Sequence, residues 1–271
     1  MDSKVLQECY KKRLVLELCK IQRESRSALL MADKKRAAFF DIDYTIISSN
    51  SMMLYVNYMR RHGEYSLWDV IVGTYYLLQC KLNILDMETA MDKVSRQYQR
   101  MLESRLREIC EKWFDDQVRH YIYPEAAELI ESHRKAGHEL CILSATSVYL
   151  TRPMSRHLNI DNYFCNVPRV ENGTLTGEMT KPLCYGKDKL LYAKKFETEK
   201  GISLKDSWYY SDSITDLEAM NGFGFPVAVN PDPLLRREAQ KLGWKIIDFK
   251  IPPPALKKGR GKRDVITLKV L

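Results

Sequence analysis

The chain of 271 residues lacks the features that define several large classes of protein. Its seven cysteines are scattered with no Cys-x-x-Cys pair. No secretory leader precedes them, so we expect reduced thiols in a cytoplasmic protein. No apolar run is long enough to span a bilayer, because the nearest candidate, residues 65–85, is interrupted by Asp69, Gln79 and Lys81.

Two common kinds of catalytic or nucleotide-binding motif are also missing. Gly-rich phosphate loops of the P-loop or dinucleotide-binding type are absent. Ser144 does not lie in a Gly-x-Ser-x-Gly setting, and none of the five histidines pairs with a nucleophile motif. These absences argue against a serine hydrolase with a Ser-His-Asp triad.

The positive charge of the chain is concentrated at its end. The formal net charge is +8, and residues 250–271 hold seven basic side chains against one acid, Asp264. Little net charge remains on the rest of the chain, so we expect no specific nucleic-acid partner for the folded part. A membrane- or RNA-associated protein that uses this basic tail remains an alternative.

Two closely spaced acids follow a short apolar run near the start of the chain. Residues 37–40 read Ala-Ala-Phe-Phe and lead directly into Asp41, Asp43 and Thr45, an Asp-x-Asp-x-Thr pattern. The apolar run is typical of a buried strand, predicted here over residues 36–43. Two neighbouring carboxylates are costly unless a cation or hydrogen-bond donors neutralise them. An Asx-rich turn that closes the strand is the simpler alternative.

Further apolar runs end in polar residues downstream. Residues 141–143 lead into Ser144, and Tyr209-Tyr210 leads into a segment that contains Asp212 and Asp216. Two cations, Lys187 and Lys189, precede a predicted helix. Because ligands of a parallel sheet bind at the carboxyl ends of its strands, these side chains are predicted to form one metal-assisted phosphate site.

The four segments in this order resemble the haloacid dehalogenase superfamily, in particular its branch that contains phosphoserine phosphatase. Asp41-x-Asp43-x-Thr45 matches the first motif, Ser144 the second, a lysine of residues 186–189 the third, and Asp212-x-x-x-Asp216 the fourth. The resemblance covers roughly residues 36–249. It implies an α/β fold with a doubly wound parallel sheet and an inserted helical cap.

The resemblance also implies roles for the acids. Asp41 would be the nucleophile that forms an aspartyl-phosphate intermediate, and Asp43 the general acid and base. Asp41, Asp212 and the backbone carbonyl of Asp43 would bind Mg²⁺, with Asp216 supporting the ion from further out or through water. The dehalogenases and ATP-driven pumps of the superfamily lack the second acid, so Asp43 favours a phosphatase.

The remaining motif residues would bind the phosphate group. By resemblance, Ser144 hydrogen-bonds one phosphoryl oxygen and a lysine neutralises another, while Thr45 orients the loop of the first motif. Lys187 and Lys189 both fall within the third motif. The apolar residues that follow favour Lys189, and Lys187 remains open.

Four regions are predicted along the chain. Residues 1–35 form an N-terminal helical extension, and residues 36–50 with 121–249 form the α/β core. Residues 51–120, with few glycines and no proline, form the helical cap, whose aromatic cluster at 65–76 is interpreted as cap core. Residues 250–271, opened by three prolines, form a basic, disordered tail.

The predicted function is that of a Mg²⁺-dependent phosphomonoesterase acting on a small phosphate ester. A phosphatase-like protein kept for binding or scaffolding is the alternative from another class, although no nucleophile or metal ligand is lost here. The substrate stays open among phosphoserine, histidinol phosphate and a lipid-derived phosphate, and the oligomeric state is unknown.

Overall fold

The structure, a computed structural model, describes residues 35–66 and 86–250 together with positions 68, 71, 72 and 75. The predicted N-terminal helix and basic tail therefore lie outside the described residues, apart from Lys35 and Lys250 at their ends. Half of the positions of the predicted aromatic cluster at 65–76, including Tyr76, lie outside them as well.

Eight strands are present in the described part of the chain. Six form a parallel sheet in the order β3-β2-β1-β6-β7-β8, and β4 pairs with β5 in a separate antiparallel hairpin. Their bounds are β1 Ala37–Phe40, β2 Glu139–Ser147, β3 Asn162–Asn166, β4 Pro168–Glu171, β5 Thr174–Met179, β6 Trp208–Ser211, β7 Phe225–Val229 and β8 Lys245–Ile247.

Eight α-helices accompany these strands within the described residues. They are α1 Ser51–Arg61, α2 Met87–Arg96, α3 Glu103–Asp116, α4 Pro124–Lys135, α5 Val148–Leu158, α6 Lys189–Lys200, α7 Leu217–Met220 and α8 Pro233–Leu242. Parallel strands joined by helices need crossover connections, which explains the strand–helix alternation of the sequence. The predicted doubly wound α/β fold is confirmed.

Strand β1 lies at the centre of the sheet and is buried on both faces. Ala38 and Phe40 pack into one apolar cluster, whereas Ala37 and Phe39 pack into a second cluster. Because alternate side chains of a strand point to opposite faces, both layers of helices need apolar partners here. This double burial accounts for the uninterrupted apolar run before Asp41.

Strand β1 is shorter than the predicted strand over residues 36–43. It ends at Phe40 because the backbone then turns about Ile42, whose carbonyl accepts from the N–H groups of Thr45, Ile46 and Ile47. The turn holds Tyr44 at φ 53°. The two acids of the first motif therefore lie on a tight turn beyond the strand.

Helices α1, α2 and α3 lie between β1 and α4 in the chain. Helices α1 and α3 contribute Leu54, Tyr58, Trp113 and Phe114 to the apolar cluster that also contains Ala38 and Phe40 of β1. The interpretation of the 65–76 cluster as core is wrong for its two described exposed rings, since Trp68 is 69% exposed and Tyr75 is 56% exposed. The division into core and cap remains a prediction.

Two further sequence-based expectations concern the thiols and the membrane. Four cysteines, Cys110, Cys141, Cys165 and Cys184, are buried and unbridged, as expected for reduced thiols. Of the helices that the structure describes, none combines the length and the apolar character needed to cross a bilayer.

Candidate active site

The site lies at the carboxyl ends of the central strands β1, β2 and β6. Asp41 directly follows β1, Ser144 lies near the end of β2, and Asp212 directly follows β6. The parallel pairing of β1 with both neighbours places these ends side by side. The structure thus brings together residues that lie up to 171 positions apart in the sequence.

Asp41 is a buried carboxylate held by several donors, with only 7% of the residue exposed. Its Oδ1 accepts from the Ile42 N–H at 2.8 Å, and its own N–H donates to the Tyr210 carbonyl at 3.0 Å. Burial raises the pKa of Asp41, while Lys189 and a hydrogen bond from Ser144 act in the opposite direction. The carboxylate is therefore fixed in orientation beside a cation and a hydroxyl.

Lys189 joins two of the acids in the interior. Its Nζ lies 3.3 Å from Asp41 Oδ2 and 2.7 Å from Asp216 Oδ2. Burial acts against its charge, but Asp216 and Asp41 hold the pKa of Lys189 well above its usual value. Lys187 is exposed on the preceding turn, so of the two candidate lysines it is Lys189 that reaches the acids.

Asp216 is satisfied by three donors on one oxygen. Its Oδ2 accepts from Lys189 Nζ, the Tyr209 hydroxyl and Ser211 Oγ, each at 2.7 Å. Tyr209 and Ser211 were not among the predicted site residues. Their spacing of two on β6 puts them on one face of the strand, and that alternation is the signal that could have identified them.

Asp43 points to the start of helix α1. Its carboxylate accepts from Asn50 Nδ2 at 2.9 Å, from the Ser51 N–H at 3.0 Å and from Ser51 Oγ at 3.1 Å. Burial and the charge of Asp41 raise the pKa of Asp43 to about 7. A carboxyl that titrates near neutrality suits both proton donation and proton acceptance. The sequence did not predict the roles of Asn50 and Ser51, because the loop that connects Asp43 to the start of α1 carries no recognisable motif.

Asp212 and Thr45 complete the predicted set. Burial, followed by the charges of Asp41 and Asp216, raises the pKa of Asp212 to about 9. Thr45 is buried, and its Oγ1 has no hydrogen-bond partner among the described residues. An unpaired buried hydroxyl is uncommon, so the Thr45 hydroxyl is available to form a hydrogen bond with a ligand.

The residues present fit a hard divalent cation. Within residues 35–66 and 86–250, no three side chains of His, Cys, Asp or Glu form a chelating cluster. The expected ligand set differs from such a cluster, because it combines the carboxylates of Asp41 and Asp212 with the backbone carbonyl of Asp43. All are oxygen donors, and one lysine offsets four acids, so Mg²⁺ suits both the donor chemistry and the charge.

Comparisons with known proteins agree with this geometry. The family model for haloacid dehalogenase-like hydrolases matches residues 38–221. A probable phosphatase of Mycobacterium tuberculosis is 30% identical over 80% of this chain and 77% of its own length. A phosphoserine phosphatase of the same organism is 28% identical over 84% of this chain and 75% of its own. The chain belongs to the haloacid dehalogenase-like hydrolase family.

The fold is also found in a solved structure. A protein of unknown function from Bordetella pertussis Tohama I superimposes with a TM-score of 0.75 at 23% identity, covering 80% of this chain and 100% of that chain. At this identity the likeness concerns the fold alone. Within its family the chain is phosphatase-like.

Proposed function

We propose that this protein is a Mg²⁺-dependent phosphomonoesterase that hydrolyses a small phosphate ester through an aspartyl-phosphate intermediate. The observation that carries the proposal is the arrangement around Asp41, a buried carboxylate with Lys189 Nζ at 3.3 Å and Ser144 beside it. Family membership and the relatives named as phosphatases support it.

In the first step, Asp41 attacks the phosphorus atom and the ester bond to the alcohol breaks. Asp43 donates a proton to the leaving alkoxide oxygen, so the alcohol departs neutral. Ser144 and Lys189 hold the non-bridging oxygens of the transferred group and stabilise the charge that they share in the transition state. Thr45, whose hydroxyl has no partner within residues 35–66 and 86–250, orients the loop that carries both acids.

In the second step, Asp43, now deprotonated, takes a proton from water. The resulting hydroxide attacks the phosphorus of the aspartyl phosphate, inorganic phosphate leaves and the Asp41 carboxylate is restored. A Mg²⁺ ion held by Asp41, Asp212 and the Asp43 carbonyl would supply positive charge to the phosphoryl oxygens. Asp216 supports this ligand set through Lys189, to which it is bound at 2.7 Å.

The other regions have secondary roles in this proposal. Residues 51–120 form a cap that helps to select the substrate, and the basic tail beyond residue 249 lies outside the catalytic machinery. The partner is a small phosphate ester rather than a nucleic acid, and the enzyme acts in the cytoplasm.

Phosphate release from a panel of phosphate esters tests the proposal. We expect release with Mg²⁺, none in EDTA, and restoration when Mg²⁺ is added back. Asp212→Asn should weaken that rescue, and Mg²⁺ should raise the Tm of the unaltered protein more than that of the variant.

Two outcomes would count against it. Full activity in EDTA would contradict the metal assignment. A rise in Tm with Mg²⁺ but no release from any ester would favour the alternative, a phosphatase-like binding protein.

A further inference from the structure

Tyr44 occupies the variable position between Asp43 and Thr45, and its backbone conformation is uncommon. Its φ of 53° lies in the left-handed region, which large side chains rarely adopt. The residue is 43% exposed, whereas Thr45 beside it is 2% exposed. The turn therefore directs one aromatic ring outwards from an otherwise buried motif.

Asn230, in the loop after β7, holds this conformation from the neighbouring part of the sheet. Its Nδ2 donates to the Tyr44 carbonyl at 3.0 Å, and its Oδ1 accepts from the Phe249 N–H at 2.8 Å. The Asn230 N–H donates to the Ile247 carbonyl at 2.8 Å. One amide thus ties the first motif to the end of the described chain.

The Tyr44 side chain lies at the mouth of the site. The Tyr44 N–H donates to the Ser49 carbonyl at 3.4 Å, which holds the residue against the segment before α1. Burial, followed by the charges of Asp43 and Asp212, raises the pKa of the Tyr44 phenol. Asn50, the residue after Ser49, is a donor to the Asp43 carboxylate. Tyr44 and the proposed general acid therefore share the same short segment at the start of α1.

A second tyrosine lies in the same neighbourhood. The Tyr123 N–H donates to the Ile46 carbonyl, in the loop of the first motif, at 2.9 Å. Burial, followed by the charges of Glu125 and Asp212, raises the pKa of the Tyr123 phenol. Its ring packs on Phe249 with centroids 5.1 Å apart, and Phe249 is the residue that Asn230 holds. Two phenol rings, supported from behind by a third ring, thus border the acidic site.

We propose that Tyr44 and Tyr123 bind the alcohol part of the substrate, and that this part is an aromatic or apolar ring. The inference rests on the proposed function and names its substrate class. The oxygen that Asp43 protonates must approach its carboxylate, so the carbon skeleton attached to that oxygen extends past the Asn50 segment, along the Tyr44 ring. Aromatic faces favour stacking with a flat or apolar group.

The charges around this surface argue against an acidic alcohol part. The charged groups that act on the two phenols are the carboxylates of Asp43, Asp212 and Glu125. Lys189, the cation of the site, is buried and engaged with Asp41 and Asp216. With Mg²⁺ held by Asp41 and Asp212, the side chains of Asp43 and Glu125 are the carboxylates left at this surface, which favours an uncharged alcohol part over an acidic one.

A matched pair of esters tests the inference. Benzyl phosphate and ethyl phosphate both have a primary alcohol as leaving group but differ in the ring. Tyr44→Asn removes the phenol while keeping a residue that tolerates positive φ, and Tyr44→Phe keeps the ring. Asn230→Gly removes the amide without straining that position, where φ is 43°. Phe225→Ala, at the opposite end of the sheet and 45% exposed, is the control.

We expect the unaltered protein to prefer benzyl phosphate. Tyr44→Asn should lower kcat/KM for benzyl phosphate by about 3- to 10-fold, mainly through KM, because stacking contributes on that scale. The effect on ethyl phosphate should be clearly smaller. Asn230→Gly should shift the ratio of the two esters in the same direction, and Tyr44→Phe and Phe225→Ala should leave that ratio near its original value.

Several results would overturn the inference. One is an equal effect of Tyr44→Asn on both esters, and another is a preference of the unaltered protein for O-phosphoserine over benzyl phosphate. If Tyr44→Asn does not fold, an unchanged ratio of the two kcat/KM values in Asn230→Gly would by itself contradict the inference. Failure of the unaltered protein to release phosphate from any ester, with Mg²⁺ present, would instead overturn the proposed function itself.

Discussion

The four acids of the site form two pairs with different surroundings. Asp41 and Asp216, the inner pair, are 7% and 1% exposed and both contact Lys189. Asp43 and Asp212, the outer pair, are partly exposed and have no salt bridge shorter than 4.0 Å to a described lysine or arginine. The protein thus places a cation, Lys189, between the two inner acids, and within the described residues it places none beside the two outer acids.

This difference separates acids that the fold holds beside a cation from acids that it leaves without one. Burial and neighbouring carboxylates raise the pKa of Asp43 to about 7 and that of Asp212 to about 9. A bound cation favours the ionised form of such acids. We infer that Lys189 fixes the inner pair, including the proposed nucleophile Asp41, within the folded chain, while the described part of the protein leaves the outer pair without a cation and so available to a proton or a metal ion.

The largest expected effect on stability tests the inner pair. Lys189→Met leaves Asp41 and Asp216 buried without a cation, and breaking a buried ion pair in this way typically costs about 3–5 kcal/mol. Lys187→Met, at an exposed position, is the matched control and should change the free energy of unfolding by less than about 0.5 kcal/mol. Urea titration followed by circular dichroism measures both variants. Equal stability of the two variants would contradict the structural role of the inner pair.

A smaller effect on activity tests the outer pair. Ser51→Ala removes one of the three hydrogen bonds to Asp43, the one from Ser51 Oγ at 3.1 Å. This hydrogen bond orients the proposed general acid and base, so we expect its loss to lower turnover by roughly tenfold. The loss of stability should be about 1–2 kcal/mol, smaller than that of Lys189→Met. Ser132→Ala, which removes an exposed hydroxyl on α4, should leave steady-state turnover unchanged. A stability loss without a turnover loss would break the distinction between the two pairs.

His133 is a buried titratable group that is not one of the four acids, and it makes the stability of the fold depend on pH. His133 Nε2 lies 2.7 Å from the Tyr210 hydroxyl and Nδ1 lies 2.7 Å from His138 Nδ1. Burial, together with His138, lowers the pKa of His133 from 6.5 to about 4. The unfolded chain therefore binds a proton more readily than the folded chain, and protonation favours unfolding between these two values.

The contribution of His133 to the free energy of unfolding should accordingly fall by roughly 1–3 kcal/mol as pH drops from about 6.5 to 4. Asp43 and Asp212, whose pKa values are raised, act in the opposite direction, so the His133 contribution is taken as the difference between the unaltered protein and a variant. His133→Gln, which cannot titrate, should lose less stability than the unaltered protein between these pH values. Denaturant titrations at a series of pH values, in EDTA throughout, measure both proteins. An unchanged slope in His133→Gln would show that the loss of stability belongs to other groups.

The sequence alone predicted the elements of this site better than their contacts. Apolar runs that end in Asp41, Ser144 and Asp212 sufficed to predict a parallel sheet, because burial on both faces leaves a recognisable pattern. The contacts of Asp43 with Asn50 and Ser51 were not predicted. They depend on the turn about Ile42, whose carbonyl accepts three N–H groups, and no composition rule encodes that turn.

The choice between two lysines illustrates the same limit. Lys187 and Lys189 are two residues apart, and either satisfies the motif. The structure separates them because a short 3₁₀ turn, Gly186–Asp188, ends directly before α6, which places Lys189 inwards and Lys187 outwards. In the same way, the exposure of Trp68 and Tyr75 could not be read from their apolar character, since exposed apolar residues are common on protein surfaces.

The central claim is that Asp41 and Asp43, two identical side chains two residues apart, have unequal roles. Rapid-quench trapping of labelled phosphate on the protein, with an aryl phosphate as substrate and Mg²⁺ present, tests it most directly. An aryl leaving group hardly needs protonation, so Asp43→Asn should still become phosphorylated and then turn over about 10²–10⁴-fold more slowly. Asp41→Asn should carry no label. Label on Asp41→Asn, or unaltered turnover in either variant, would contradict the account.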